Sequence, residues 1–193
     1  TITRAGGEET VDHEQIWAPW RLAYIIGDQE KPKTPKDAKV LPGGEPSCFF
    51  CQDVAEGDDR QRLIVQRTAH SITMLNRYPY NNGHLLIAPC RHVARLDQVN
   101  AEEQLDMLAT LNRMIRLLEK VLKPEGFNVG MNLGRIAGAG VPGHLHWHIV
   151  PRWSGDTNFM PVVAGIRVIP QSLEALWEAL LAELAATASD PIQ

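Results

Sequence analysis

Cysteine is scarce in this chain. There are three in 193 residues, Cys48, Cys51 and Cys90. An odd, low count argues against a disulfide framework. No apolar run is long enough to cross a bilayer, so no membrane partner is expected. A basic surplus is missing too: 19 Lys and Arg stand against 23 Asp and Glu, for a net charge of −4. That balance argues against duplex nucleic acid as a partner. It leaves a small phosphate ligand open, because backbone N–H groups can hold an anion without lysines. The N-terminal "TITRAGGEETVDHEQ" is polar and acidic and resembles neither a signal nor a transit peptide, so the expected location is cytoplasmic.

What remains is an ordinary globular composition, 44% apolar and 22% charged, at a length that suits one domain with extensions. Residues 1–46 are expected to form an arm and an exposed Pro/Lys/Gly-rich loop, with the apolar "WAPWRLAYI" inside it; residues 47–188 are expected to form the domain. "RLIVQ", "HSITMLN", "GHLLIAP", "FNVGMNLG" and "HLHWHIVP" read as short strands between Gly, Pro and polar breaks. Asn100 with Glu103 predicts a capping box that opens a long helix. Leu105, Leu108, Leu111, Ile115, Leu118 and Leu122 predict its buried face, and Pro124 and Gly126 its end. A second helix is predicted from about Ser172, with Leu173, Leu176, Trp177, Leu180 and Leu184 on one side. Strands in succession with one long inserted helix and a terminal helix predict an α+β fold with a mostly antiparallel sheet of about five strands.

Three of the seven histidines fall on alternate positions, His144, His146 and His148, in "GHLHWHIVPRW". On a strand they share a face, and the row spans about 13 Å at roughly 3.3 Å per residue. A metal–nitrogen bond of about 2.1 Å reaches neighbours in such a row, not both ends, so the imidazoles are expected to divide their work. The preceding "GRIAGAGVPG" has four glycines in ten residues, which lets backbone N–H groups close on an anion. A phosphate held there would meet one imidazole able to attack phosphorus and another able to assist the leaving oxygen. Cys48 and Cys51 form C-x-x-C, which by itself reads as a zinc knuckle, a redox pair or coincidence. A redox pair would need to open a helix in a βαβ setting; here the pair follows a Pro/Gly-rich loop, so redox ranks lower.

"HLHWHIVPR" resembles the histidine-triad (HIT) motif. "LNRYPYNNGHLLIAP", "FNVGMNLG", the Gly-rich loop, "PRWSGDTNF", "WAPWR" and the C-x-x-C are similar to one branch of that superfamily. It contains bacterial diadenosine tetraphosphate phosphorylases and dinucleoside polyphosphate hydrolases. The resemblance covers about Trp17 to Leu184 and implies the HIT-like fold. It implies nucleotidyl transfer through a covalent nucleotidyl-histidine, with an adenine nucleotide as substrate. His146 would be the nucleophile, through Nε2, and His148 would contact the phosphate and help the leaving group depart. Substrate contacts are implied for Asn76, His84 and Asn132 and for the loop residues Gly138, Ala139 and Gly140. A base pocket is implied near Phe50, Ile72 and Leu75.

The resemblance further implies a structural zinc held by Cys48, Cys51, His92 and His144, with no open position. It implies a homodimer or higher homo-oligomer. Many relatives carry Ser or Thr in the loop before the triad; this loop has none. Cys90 is expected to be a plain, partly buried cysteine, and His13 and His70 to be surface residues. Two other readings are set beside the phosphorylase or hydrolase. One is a transferase like the galactose-1-phosphate uridylyltransferases, whose third motif position is Gln where this chain has His148. The other is a non-catalytic nucleotide-binding signalling module.

Overall fold

Five short strands rich in β-branched and aliphatic residues pair into one sheet. They are β1 Ile64–Arg67, β2 Ser71–Leu75, β3 Leu85–Pro89, β4 Gly126–Met131 and β5 Trp147–Arg152. The order across the sheet is β1-β2-β3-β5-β4, and every neighbouring pair is antiparallel. This computed structural model describes residues 38–156 and 169–188.

Side chains alternate across a strand, so the sheet has two buried faces. On one, Leu75, Leu85, Ile87 and Ile149 pack with α3 (Ala101–Leu122) and α4 (Leu173–Ala188), burying Met107, Met114, Leu118, Leu176 and Leu180. On the other, Ile72, Met74, Leu86 and Ala88 pack with Phe50 and Cys51 of α1 (Phe49–Ala55) and with Cys48 just before it. Register places His148 opposite Leu86, on this second face. The expected fold, α+β with an antiparallel five-stranded sheet, a long helix and a C-terminal helix, is the one observed.

The long helix opens as the sequence predicts. Asn100 Oδ1 accepts the Glu103 N–H and Glu103 Oε2 accepts the Asn100 N–H, each at 2.9 Å. Its buried face, however, is rotated from the expected one. Leu105 and Leu108 are 70% and 48% exposed, while Met107, Thr110 and Met114 lie inside. Lys123, in the left-handed conformation at φ 49°, ends the helix just before Pro124. Three further differences bear on the site. The C-x-x-C does open a helix: Cys48 is the N-cap of α1. Arg67 on β1 donates to the carbonyls of Asp53, Val54 and Glu56, satisfying the free end of that short helix. A single helical turn, α2 (Asp59–Arg62), precedes β1. Regular strand pairing in β5 starts only at Trp147, because the Leu145 N–H donates to the Val93 carbonyl instead. No helix among the described residues is long and apolar enough to cross a membrane.

The end of the expected N-terminal loop is described, and it is not wholly exposed. Val40 packs against the apolar cluster around Phe50, and Leu41–Gly44 line a cavity with Cys51, Cys90 and His92. His13 and the "WAPWR" segment lie outside the described residues. His70 is half-buried, as is Cys90.

Candidate active site and metal cluster

Four predicted ligands converge although they come from three separate segments. The first turn of α1 supplies Cys48 and Cys51, the segment after β3 supplies His92, and the approach to β5 supplies His144. One donor atom from each lies within 4.8 Å of every other. Cys48 Sγ is 3.3 Å from His144 Nδ1; Cys51 Sγ is 3.2 Å from His92 Nδ1 and 3.5 Å from His144 Nδ1. A tetrahedral zinc with ordinary bond lengths needs sulfur–nitrogen edges of about 3.6 Å. His144 Nε2 donates to the Pro89 carbonyl at 2.9 Å, so its Nδ1 keeps the lone pair turned toward the sulfurs. Burial pushes the Cys48 thiol up to about 12 and His144 down to about 4. Such a pocket disfavours a lone thiolate and favours neutral imidazole; a dication among the donors deprotonates the thiol outright. The donor set fits a closed metal site.

His146 and His148 follow His144 along the same segment. His146 Nδ1 donates to the His144 carbonyl at 2.9 Å, which leaves the lone pair on Nε2. Its ring lies 5.0 Å from that of Phe50 and 4.9 Å from that of His148. Burial lowers its pKa, so the imidazole is neutral at neutral pH. A chain of hydrogen bonds sets His148. His84 Nδ1 accepts from the Tyr80 N–H at 3.1 Å and from Asn76 Nδ2 at 3.2 Å, so its proton is on Nε2. His84 Nε2 then donates to His148 Nδ1 at 2.9 Å. His148 therefore carries its proton on Nε2, a buried atom with no partner among the described residues. Burial, with His146 beside it, holds His148 down at about 4. The result is a lone pair on His146 Nε2 beside an N–H on His148 Nε2.

The remaining predicted contacts are distributed unevenly. Asn76 and His84 join the chain above. Asn132 reaches the Gly138 carbonyl at 3.5 Å, which brings the Gly-rich loop beside the end of β4. Gly138 takes φ 91°, the left-handed region that glycine enters freely, and Ala139 is buried while Gly140 is exposed. Phe50 lies against both His144 and His146, and Ile72 is fully buried on the same face. Leu75 is a correction: it packs on the opposite, helix-covered face of the sheet, because it alternates with Met74. Tyr80 and Asp156 were not among the expected site residues. Tyr80 is legible only once the turn folds back on His84. Asp156, which binds Arg152 and Asn81, needs the close approach of two segments 75 residues apart.

A HIT domain profile matches residues 59–155, half of the chain. The chain belongs to the HIT domain family. An AP-4-A phosphorylase of Mycobacterium tuberculosis is 36% identical over 173 residues, 90% of this chain and 85% of that protein. Adenosine 5'-monophosphoramidase of Schizosaccharomyces pombe is 29% identical over 72% of this chain and 98% of its own length. Among solved structures, a zinc-bound histidine triad family protein from Mycobacterium smegmatis matches this HIT domain with a TM-score of 0.58 and 28% identity, over 75% of this chain and 99% of that one.

Proposed function

We propose that this HIT protein is a nucleotidyl-transfer enzyme, a phosphorylase or hydrolase that acts at the α-phosphate of dinucleoside polyphosphates. The observation that carries the reading is the lone pair on His146 Nε2 set beside the N–H of His148 Nε2. In the first half-reaction His146 Nε2 attacks the α-phosphorus. The bond from phosphorus to the bridging oxygen breaks, and its electron pair leaves with that oxygen on the departing nucleoside polyphosphate. The hydrogen bond from His148 Nε2–H stabilises that oxygen. In the second, water or inorganic phosphate attacks the phosphorus and releases His146, giving a nucleoside monophosphate or diphosphate. The names of the two relatives favour an adenine nucleotide. Asn132 and the backbone of Gly138, Ala139 and Gly140 are the proposed phosphate contacts, which need no hydroxyl from the loop.

Zinc is the proposed metal of the Cys48, Cys51, His92 and His144 cluster, and its work is structural. It ties α1 to the approach of β5 and so holds the His144 carbonyl that orients His146. Residues 47–188 are the proposed catalytic unit, and the cytoplasm its location. A second copy is the proposed partner. β4 is the last strand of the sheet among the described residues, and Val129 and Leu133 are 40% and 50% exposed at its edge and end.

The test is a screen of dinucleoside polyphosphates and adenosine phosphoramidate, with and without inorganic phosphate. Product identity separates the two acceptors: from diadenosine tetraphosphate, ADP with ATP marks phosphorolysis, and AMP with ATP marks hydrolysis. His146→Ala is expected to lose turnover by at least about a thousandfold while keeping its fold and nucleotide binding. Near-normal rates in that variant would remove His146 as nucleophile.

A further inference from the structure

The turn between β2 and β3 carries Tyr80, which touches both imidazoles of the hydrogen bond that sets His148. Its ring centroid is 4.6 Å from that of His84, and 5.7 Å from that of His148 with the planes only 19° apart. Its backbone N–H donates to His84 Nδ1, beside the donation from Asn76 Nδ2. The turn itself is fastened at several points. Asn76 Oδ1 accepts the Tyr78 N–H at 2.9 Å. Asn81 Nδ2 donates to Asp156 Oδ2 at 2.8 Å and to the Pro151 carbonyl at 3.1 Å. Gly83, at φ 77°, lies so close beneath α3 that a Cβ there would sit 2.5 Å from Leu122 Cδ1. With the backbone held from both sides, a ring that is 46% exposed stays against the imidazoles rather than turning out into water.

We propose that Tyr80 is a positioning residue that acts through His148: its ring shields the His84–His148 hydrogen bond from water, while its backbone N–H and Asn76 Nδ2 together hold the tautomer of His84. This rests on the nucleotidyl-transfer reading above. The two neutral tautomers of an imidazole differ little in water, and the bond made at one nitrogen decides which atom carries the proton. Water admitted beside His84 would compete for His148 Nδ1 and let His148 take the Nδ1–H form. Nε2 would then be an acceptor facing a departing anion, the wrong polarity for stabilising it. An aromatic ring over the pair removes that competitor and leaves the bond in a drier, stronger setting.

The experiment compares the full-length protein with Tyr80→Ala and Tyr80→Phe on two adenylate esters, one of 4-nitrophenol and one of phenol. Phenolate is the poorer leaving group and depends more on the donated hydrogen bond. Tyr80→Ala is expected to lower kcat about tenfold on the phenyl ester and about twofold on the nitrophenyl ester, with KM within about twofold. Tyr80→Phe is expected to keep the unmodified ratio, because the ring and not the phenol does the shielding. The second readout is the ¹⁵N NMR pattern of the His148 ring, expected to move from a single Nε2–H form to a mixture in Tyr80→Ala. Equal loss on both esters, or an unchanged ¹⁵N pattern, overturns the proposal. If the unmodified protein turns over neither ester nor any dinucleoside polyphosphate, the nucleotidyl-transfer reading falls; in either case the ¹⁵N pattern still decides the role of Tyr80.

Discussion

His148 is an imidazole kept neutral by its surroundings, and that has a consequence for stability. Burial and the adjacent His146 lower it from its ordinary 6.5 to about 4. The unfolded chain takes up a proton at His148 near 6.5, whereas the folded protein does so only near 4. Between those values the unfolded state binds more protons, so this residue makes folding less favourable as pH falls through that window. Thermal melts from pH 6.5 to 4 should therefore show Tm falling less steeply in His148→Phe than in the unmodified protein. Parallel pH profiles would contradict the burial argument. Cys48 makes the companion case. A thiol pushed up to about 12 by burial stays protonated unless a cation joins it. Protein purified without added zinc is expected to hold about one zinc per chain, and Cys48→Ser well below that, by metal analysis. Metal-free unmodified protein would remove zinc from the account.

At the scale of elements, α3 tests which face is the core. Met114 is fully buried in the core to which the sheet and α4 both contribute, whereas Leu105 is 70% exposed. Met114→Ala should cost roughly 2–5 kcal/mol of unfolding free energy, and Leu105→Ala within about 0.5 kcal/mol, measured by denaturant titration. The helix start was readable because Asn100 and Glu103 satisfy a local rule about backbone donors. Its buried face was not, because a chain of leucines at helical spacing admits two overlapping faces, and contact with α4 selects one. The short α1 is not legible in the sequence, for a related reason. Seven residues hold too few turns for a periodic signal, and Cys48 is not a typical cap. The strands were readable from β-branched content, but the start of β5 was displaced because Leu145 bonds to Val93 outside the sheet.

At the scale of the molecule, the site is a meeting of distant segments, and that decides what the sequence can disclose. His146 and His148 announce themselves by spacing. Cys48, Cys51, His92 and His144 are recognised together only through the family resemblance, and the folded chain brings their donors within 4.8 Å. Tyr80, Asn81 and Asp156 carry no local signature, since each acts through a contact made across the fold. Assembly belongs to this scale as well. If the β4 edge receives a second copy, Val129→Lys is expected to shift the protein from dimer to monomer in sedimentation experiments, since a charge on a paired edge opposes association. An unchanged dimer would place the interface elsewhere.

The proposed function stands or falls on a covalent bond between His146 and the nucleotide. Mixing the protein with diadenosine tetraphosphate labelled at the α-phosphates and quenching within milliseconds tests it directly. Labelled protein is expected, its label mapping by mass spectrometry to His146, appearing before product and absent in His146→Ala. Full turnover with no labelled protein at any time would contradict it, as would a label on any other residue.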